Sequence, residues 1–456
     1  MHTPHFHTYT DFATYLDTLG LFHINPSLGS VEAIIRRLRL TRPPFAVIQV
    51  VGTNGKGSTS TFLASLCTAH DLKTGLFTSP HFLSPKERIL VNGTMLEESQ
   101  WLGYANAVMA AGGKELTYFE ILTVLALVAF QDTGVQVAVL EAGLGGTWDA
   151  TSATCADMLV VTPVSLDHMA VLGNTVQEIA RDKAGAVRSA VPVVSARQDK
   201  KASAIFADAA RKHGATYSIA APDLPVSITV HPRLTGAFQQ ANMALALHAF
   251  STFCLHQPAL PGLKTIRTTE ACIVSGLEKA WIPGRMQRVA SRPCLDAAPD
   301  FPHATGWPPF ILDGAHNAAG LATLGLSLAK EQLSPSAIIF ACLGDKEPEI
   351  MASHLRTLPP VPIFIPPVPN NARAMDPDTL ASLVGLNATA CTSLQEALFL
   401  ASTSRAERLP EHTGDNNTAF PVLVCGSLYL LADFYALRPD CLADSLEEPN
   451  RPKGTV

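Results

Sequence analysis

Residues 52–59 form the strongest candidate for a phosphate-binding segment. They are Gly52-Thr53-Asn54-Gly55-Lys56-Gly57-Ser58-Thr59, between a predicted strand and a predicted helix. Glycines allow successive backbone N–H groups to face phosphate oxygens, and the start of a helix adds partial positive charge. Lys56 can reach the outer phosphates, and the Ser58 hydroxyl can ligate Mg²⁺. Because Gly57 interrupts the usual G-x-x-x-x-G-K-[ST] pattern, a glycine-rich turn with one surface lysine is the alternative interpretation.

Two more candidate metal ligands follow predicted strands. Glu141 comes at the end of a strand predicted at 135–140, and Asp167-His168 follow one predicted at 158–162. Ligands of open α/β sheets bind at the carboxyl ends of the strands, where a carboxylate suits Mg²⁺. A lone histidine is more often a surface or core residue than a ligand. Lys183, on a helix predicted at 176–188, is by sequence alone an ordinary solvated lysine.

These residues need a sheet to bring them together, and the apolar pattern predicts one. Strand-like runs alternate with helical patterns, the strands at 45–51, 135–140, 158–162 and 193–195 and the helices at 58–70 and 121–131. Thr117 and Glu120 form a capping-box pattern where the second helix begins. Buried β-rich runs that alternate with helices favour an α/β domain with a mostly parallel sheet.

A second, smaller α/β unit is predicted after a proline-rich break. Five prolines lie between residues 285 and 309, which indicates a linker or a surface insertion. Beyond the break, strand-like runs return at 310–312, 337–343, 362–365 and 422–425, with a helix after Asn317. We therefore predict one domain at 1–290 and another at 291–456.

Composition narrows the classes of partner and compartment. The 456 residues are 47% hydrophobic and carry a formal net charge of −6, which argues against general binding to nucleic acid or anionic membranes. The nine cysteines contain no C-x-x-C pair, a pattern that suits a reducing compartment. The first residues lack a secretory pattern, and the longest apolar run is shorter than the roughly 20 residues of a membrane helix. We expect a cytoplasmic monomer with no nucleic-acid or membrane partner.

Eight motifs, spread over about 19–434, resemble the folylpolyglutamate synthase/dihydrofolate synthase family, which lies within the wider Mur ligase group. Each is weak alone, but together they keep the order found in the family. They are V-x-G-T-N-G-K-G-S-T at 50–59; Thr78-Ser79-Pro80-His81 with Glu87-Arg88-Ile89; Thr117-Tyr118-Phe119-Glu120; Glu141-Ala142-Gly143-Leu144-Gly145-Gly146 with Asp149-Ala150-Thr151; Asp167-His168, Leu172-Gly173 and Lys183-Ala184-Gly185; Pro283-Gly284-Arg285; Asp313-Gly314-Ala315-His316-Asn317; and Cys425-Gly426-Ser427-Leu428-Tyr429.

The resemblance implies both a fold and an activity. The expected fold is a P-loop ATPase-like N-terminal domain with a mostly parallel sheet, followed by a smaller, Rossmann-like glutamate ligase domain. The expected enzyme is an ATP-dependent ligase that adds L-glutamate to dihydropteroate, to folates or to both, through an acyl phosphate. Three alternatives remain open: another Mur-type amide ligase acting on a UDP-muramyl or related carboxylate, a P-loop kinase or switch, and an inactive nucleotide-binding protein.

The resemblance also assigns roles to individual residues. It places ATP on residues 52–59, Asn242, Arg285 and Asp313. It implies two Mg²⁺ ions, with Ser58, Glu141 and His168 as ligands, and a carbamylated Lys183 whose negative charge helps to place a metal ion. The implied catalytic residues are Lys56, Lys183, Asp313 and His316. The implied substrate-binding residues are Arg88, Thr117, Phe119, Asp149 and Ala150.

Some positions allow a purely structural interpretation or depart from the family pattern. Phe119 could be ordinary core packing, and Arg88 could form a surface ion pair. Three residues differ from those usual in the family: Thr147 replaces an arginine, Phe238 replaces a histidine and Ser152 replaces an asparagine. None of the three is among the expected phosphate or metal ligands.

Overall fold

The chain forms two α/β units, each built around its own sheet. A computed structural model describes residues 4–20, 27–226, 228–230, 234–256, 266–291, 307–369, 371–385, 387–408 and 420–443. Unit 1 comprises Met1–Arg233 and Gln240–Trp281, and unit 2 comprises Leu234–Gln239 and Ile282–Val456. The predicted fold class, α/β with mostly parallel sheets, is confirmed.

Unit 1 contains an eight-stranded sheet in the order β4-β3-β2-β5-β1-β6-β7-β8. Its strands are β1 Ala46–Val51, β2 Thr74–Phe77, β3 Ile89–Val91, β4 Thr94–Met95, β5 Val137–Glu141, β6 Met158–Val161, β7 Val193–Ser195 and β8 Tyr217–Ile219. All neighbouring pairs from β2 to β8 are parallel, and only the β2–β3 and β3–β4 pairs are antiparallel. The carboxyl ends of β2, β5, β1 and β6 therefore lie side by side at one edge.

Helices follow most of these strands, as the alternating sequence pattern predicts. Those that lie wholly or mainly in unit 1 are α1 Tyr9–Thr18, α2 Gly29–Arg37, α3 Lys56–Ala69, α4 Glu98–Ala110, α5 Tyr118–Asp132, α6 Met169–Leu172, α7 Val176–Ala184, α8 Lys200–Lys212, α9 Ala237–Leu255 and α10 Glu270–Lys279. The predicted capping box of α5 is confirmed, because Thr117 and Glu120 bond to each other's backbone N–H groups. Helix α7 ends at Ala184, four residues before the predicted end.

Unit 2 contains a six-stranded sheet in the order β13-β12-β11-β14-β10-β9, parallel except for β9–β10. Its strands are β9 Gln287–Val289, β10 Phe310–Leu312, β11 Ala337–Phe340, β12 Ile363–Ile365, β13 Ala388–Ala390 and β14 Val422–Cys425. Its helices are α11 Ala318–Lys330, α12 Pro348–Leu355, α13 Pro377–Val384, α14 Leu394–Arg408, α15 Leu428–Leu437 and α16 Pro439–Ala443.

The division between the units differs from the domain boundary predicted at 290/291. Unit 2 already begins at Ile282, because strand β9 pairs with β10 and so folds with the second sheet. Residues 234–239 also count with unit 2. Most of the proline-rich break, residues 292–306, lies outside the described residues. Among the helices that the structure describes, none is long and apolar enough to cross a membrane.

The space around two glycines of unit 1 predicts opposite effects on stability when each is replaced by alanine. A Cβ atom on Gly75, in β2, would lie 2.7 Å from the buried Phe130 ring. We expect Gly75→Ala to lower the free energy of unfolding by about 1–3 kcal/mol through overpacking. Gly103, in α4, has open space around it, so Gly103→Ala should raise that energy by about 0.5–1 kcal/mol. Urea denaturation measures both; equal effects would contradict the packing argument.

Candidate active site

The phosphate loop, defined as residues 52–59, is anchored to the segment that follows β6. The backbone N–H groups of Thr53 and Asn54 donate to the carbonyl oxygen of Pro163, at 3.0 and 3.3 Å. A Cβ atom on Gly52 would collide with the Thr162 hydroxyl oxygen. The loop can therefore approach β6 only because Gly52 has no side chain, and this contact holds the loop at the carboxyl edge of the sheet.

The start of α3 has the properties of an anion site. Gly55 is its N-cap with φ +86°, no side chain caps the helix, and its first turn contains no acidic residue. Lys56 Nζ donates to the Thr53 carbonyl oxygen at 3.1 Å, which holds the ammonium across the loop. Backbone N–H groups, the helix dipole and one lysine fit a phosphate group.

Asn242 lies against the same loop. A Cβ atom on Gly55 would be 2.6 Å from Asn242 Oδ1, so the amide of Asn242, in α9, packs directly on the loop backbone. The structure thus brings together the loop and the asparagine that the family resemblance assigns to the nucleotide. Its role in nucleotide binding stays a prediction.

Glu141 ends β5 at this edge and is buried. The backbone N–H of Ser79, just beyond β2, donates to Glu141 Oε2 at 3.0 Å. Ser79 is not among the residues that the sequence predicts to be functional. Its signal was its position directly after a strand that neighbours β5, but only the sheet order reveals that neighbour.

The expected magnesium ligands have suitable chemistry at this edge. Ser58 is buried at the start of α3, and Mg²⁺ prefers oxygen ligands such as the Ser58 hydroxyl and the Glu141 carboxylate. His168 is the N-cap of α6 and has a left-handed backbone, and its Nε2 is 3.8 Å from Asp167 Oδ1. In the part of the chain that the structure describes, no three His, Cys, Asp or Glu side chains gather as a metal site. A metal ion bound here would therefore need hydroxyl oxygens and the oxygens of a bound phosphate as ligands, besides the protein's carboxylate and imidazole groups.

Lys183 is buried, so the interpretation as a solvated helix lysine is wrong. Only 3% of the residue is exposed, and Ile179, Ala180 and Ala184 of α7 are buried with it. Burial, and then the positive charge of Lys56, lower the pKa of Lys183 to about 7, although Asp182, Asp167 and Asp149 oppose the shift. Unlike a solvated lysine, this amine is therefore partly neutral near pH 7.

The expected substrate residues Phe119, Asp149 and Ala150 meet around the 143–149 loop. A Cβ atom on Gly143 would lie 2.7 Å from the Phe119 ring. The Asp149 carboxylate accepts hydrogen bonds from the N–H groups of Leu144 and Thr151 at 2.9 and 3.0 Å. Burial raises the pKa of Asp149, and these hydrogen bonds oppose that shift. Ala150 is buried directly after it. Thr117, in contrast, caps helix α5, a structural role that the sequence pattern also predicts.

Arg88 is not a surface residue. It is buried, its Nε donates to His81 Nδ1 at 2.8 Å, and its guanidinium lies 5.5 Å from the centre of the Tyr118 ring. Burial and the charge of Arg88 lower the pKa of His81 to about 3. A neutral His81 therefore accepts this hydrogen bond throughout the physiological pH range and holds the Arg88 side chain in place.

Three further expected residues cluster within unit 2. The Asp313 carboxylate accepts the N–H groups of Met286 and Ala315, both at 2.9 Å. Burial raises the pKa of Asp313, and the positive charge of Arg285 opposes that shift. His316 Nδ1 is 2.8 Å from the Gly314 carbonyl oxygen, and a Cβ atom on Gly314 would collide with the Arg285 guanidinium. Arg285, Asp313 and His316 are therefore assembled around one short turn.

Comparisons with known proteins show the family to which this chain belongs. Residues 50–223 match the Mur ligase middle domain. The dihydrofolate synthase/folylpolyglutamate synthase of Escherichia coli is 35% identical over 305 residues, which cover 64% of this chain and 69% of that protein. The chain belongs to the folylpolyglutamate synthase/dihydrofolate synthase family.

Family members differ in length. A probable bifunctional folylpolyglutamate synthase/dihydropteroate synthase of Halobacterium salinarum is 32% identical over 414 residues, or 85% of this chain and 46% of that protein. The chain spans about half the length of this relative and of its Haloferax volcanii counterpart.

Solved structures of the family share the whole fold. E. coli FolC in complex with DHPP and ADP is similar at a TM-score of 0.79 and 27% identity, covering 96% of this chain and 99% of that one. A bifunctional folylpolyglutamate synthase/dihydrofolate synthase with Mn, AMPPNP and L-glutamate bound has a TM-score of 0.76 at 26% identity, covering 96% and 100%.

The departures from the family pattern have structural explanations here. Ser152 Oγ donates to the Gly146 carbonyl oxygen at 2.7 Å and accepts from Gln49 Nε2 at 2.8 Å, so it braces the 143–149 loop. Phe238 packs against the core of unit 2 and lies 3.0 Å from the Cβ position of Gly236. Thr147 contacts the end of α7, where its hydroxyl donates to the Asp182 carbonyl oxygen at 2.7 Å.

The buried amine predicts a pH dependence of stability. The pKa of Lys183 is about 7 in the folded chain and about 10.5 when unfolded, so the unfolded state binds more protons between these values. The free energy of unfolding contributed by this group should therefore rise as the pH increases from about 7 toward 10.5. Urea denaturation in CO₂-free buffer at pH 7, 8 and 9 should show this rise, and Lys183→Met should reduce it. Identical slopes for both proteins would contradict the prediction.

Proposed function

We propose that this chain is an ATP-dependent ligase that joins L-glutamate to dihydropteroate, to folates or to both. The observation that carries the proposal is the buried Lys183 within electrostatic reach of Lys56 in the phosphate loop. A buried lysine with a lowered pKa does not act as a solvated charge, and the family resemblance implies that this lysine is carbamylated and helps to place a metal ion. The ligands named for the related structures support the same activity.

The acceptor carboxylate attacks the γ-phosphorus of ATP, and ADP leaves with the electrons of the broken P–O bond. The glutamate amine then attacks the acyl-phosphate carbonyl, inorganic phosphate leaves, and the amine proton passes to solvent. Both anions must come together in the first step, so their repulsion has to be offset. We assign this role to Lys56 and to the backbone N–H groups of the phosphate loop.

Ser58, Glu141 and His168 are the proposed ligands for Mg²⁺, and the oxygen atoms of Ser58 and Glu141 fit its chemistry. When bound, magnesium would offset the negative charge of the phosphates. Asn242 is proposed to contact the adenine, since it already packs on the phosphate loop. For Arg285, Asp313 and His316, roles at the phosphates and reacting groups rest on the family resemblance.

We further propose that Lys183 is carbamylated. The neutral amine nitrogen attacks the carbon of CO₂, an N–C bond forms, and one proton is released to solvent. The lowered pKa of Lys183 supports this step because only the unprotonated amine reacts. The product carries a negative charge in place of a positive one, which removes the repulsion from Lys56 and favours a divalent cation nearby.

Phe119, Asp149, Ala150 and Arg88 are the proposed contacts for the pterin-bearing acceptor. The first three meet at the 143–149 loop, whereas Arg88 is held by His81. Thr117 would contribute from the start of α5. This set gives an aromatic ring, a buried carboxylate and a fixed cation, which suit a flat heterocycle with polar edges.

The activity itself is tested by ADP release with ATP, Mg²⁺ and L-glutamate. The acceptors are dihydropteroate, tetrahydrofolate and a UDP-muramyl peptide, with products measured by mass spectrometry. We expect glutamate-dependent ADP release and a glutamylated pterin product. Turnover of the UDP-muramyl acceptor alone would instead identify another Mur-type ligase, and phosphate transfer without glutamate would identify a kinase.

The carbamate is tested by Lys183→Ala, with Lys200→Ala at the exposed start of α8 as the matched control. Loss of the charged group should lower turnover at least about a hundredfold, the scale of removing a charge-stabilising group from a site. The melting temperature should not fall, and Lys200→Ala should behave as wild type. In ¹³C-bicarbonate, only the Lys183-containing proteins should give a carbamate NMR signal. Normal turnover of Lys183→Ala would refute the carbamate.

A further inference from the structure

The 143–149 loop and the end of α7 lie in close contact, with the backbone of Gly146 against the backbone of Lys183. Three glycines make this possible: a Cβ atom on Gly145 would collide with Asp182 Oδ1, one on Gly146 would lie 2.6 Å from the Lys183 carbonyl oxygen, and one on Gly185 would collide with Thr147 Oγ1. Glycines lie on both sides of the contact, so neither segment can shift toward the other. The spacing between the loop and the helix is therefore fixed by direct contact.

Hydrogen bonds hold the same two segments together. Asp182 Oδ1 accepts the Gly146 N–H at 2.9 Å. The Asp182 carbonyl oxygen accepts both the Thr147 N–H at 3.0 Å and the Thr147 hydroxyl at 2.7 Å. We call this set of three hydrogen bonds the Asp182–Thr147 clamp. One residue of α7 thus binds two consecutive residues of the loop through its side chain and its backbone.

The clamp connects the segment that contains Lys183 with the segment that leads to Asp149. Asp182 directly precedes Lys183, and Thr147 stands two residues before Asp149. We propose that Asp182 is a positioning residue that fixes the acceptor-binding end of the 143–149 loop relative to Lys183. The proposal rests on the function proposed above, which assigns Asp149 and Ala150 to the acceptor. It also gives Thr147 a function of its own: its hydroxyl completes the clamp.

The loop has other attachments, so loss of the clamp need not unfold it. Arg188 Nη2 donates to the Thr147 carbonyl oxygen at 2.6 Å, and Ser152 Oγ donates to that of Gly146 at 2.7 Å. These bonds hold the carbonyl groups of the loop, whereas the clamp holds the N–H groups of Gly146 and Thr147 and the Thr147 hydroxyl. Removing the Asp182 side chain should therefore move or loosen the loop while it remains folded.

Two substitutions at one position separate the hydrogen bond from the charge. Asp182→Asn keeps an oxygen that can accept the Gly146 N–H but removes the negative charge, and Asp182→Ala removes both. Asp199→Ala is the matched control, because Asp199 also accepts a backbone N–H in unit 1, at the start of α8 and outside the loop. Thr147→Val tests the hydroxyl while keeping the shape of the side chain.

The experiment combines steady-state kinetics with hydrogen–deuterium exchange. We expect Asp182→Ala to raise the KM for the pterin acceptor about tenfold, the scale of losing one well-formed hydrogen bond, and to leave the KM for ATP unchanged. Exchange at the amides of 143–149 should accelerate by a similar factor. Thr147→Val should change both quantities in the same direction, and Asp199→Ala should match wild type in both. Asp182→Asn should keep wild-type exchange at 143–149, because its amide oxygen can still accept the Gly146 N–H, whereas its turnover should change because the Asp182 charge acts on Lys183.

Two results would overturn the clamp. One is wild-type exchange and acceptor KM in Asp182→Ala. The other is exchange at 143–149 in Asp182→Asn that is as fast as in Asp182→Ala, which would assign the effect to charge. If the wild-type protein releases no ADP with any acceptor, the proposed function fails. The exchange measurements do not depend on turnover, so they still decide whether Asp182 positions the loop.

Discussion

Burial of the Lys183 amine is the constraint on which the site depends. An ammonium group loses its hydration when buried, and the positive charge of Lys56 adds repulsion. The protein reduces this cost by lowering the pKa and by placing Asp182, Asp167 and Asp149 within electrostatic reach. An arrangement that only stabilised the fold would have no need of a second lysine here. The carbamate proposed above would remove the repulsion from Lys56, and a divalent cation would be needed to offset its repulsion from Asp182, Asp167 and Asp149.

The sheet makes this arrangement possible because it delivers several loops to one edge. Strands β2, β5, β1 and β6 are neighbours and parallel, and Val50 of β1 pairs with Glu141 of β5. The phosphate loop, Ser79 and Glu141 consequently emerge together although they are far apart in sequence. These segments are so close that there is no room for a side chain at some positions. Gly52 therefore packs directly against Thr162, and Gly55 packs directly against Asn242. Hydrogen bonds between the strands and close packing at these glycines together fix the geometry of the site.

Local patterns predicted much of this correctly. The strand, glycine loop and helix around residues 45–70 and the cap at Thr117 depend on neighbours in sequence, so their spacing carries the information. Burial of Lys183 could not be predicted from spacing, because it depends on which face of α7 meets the sheet. Pairing of Arg88 with His81 and of Ser79 with Glu141 likewise requires the three-dimensional neighbours. The start of the main part of unit 2 at Ile282 could not be predicted from the sequence, because β9 is only three residues long and precedes the proline-rich break.

The position of Thr147 illustrates how a site can keep its geometry while a residue type changes. The family pattern has an arginine there, and a threonine carries neither its charge nor its reach. Yet the contacts that fix the loop use mainly backbone groups, namely the N–H groups of Gly146 and Thr147 and the carbonyl oxygen of Asp182. These contacts require glycines at 145, 146 and 185 more than any particular side chain at 147. A small hydroxyl residue fits against Gly185 and adds one hydrogen bond, so the contact between loop and helix is preserved without the arginine.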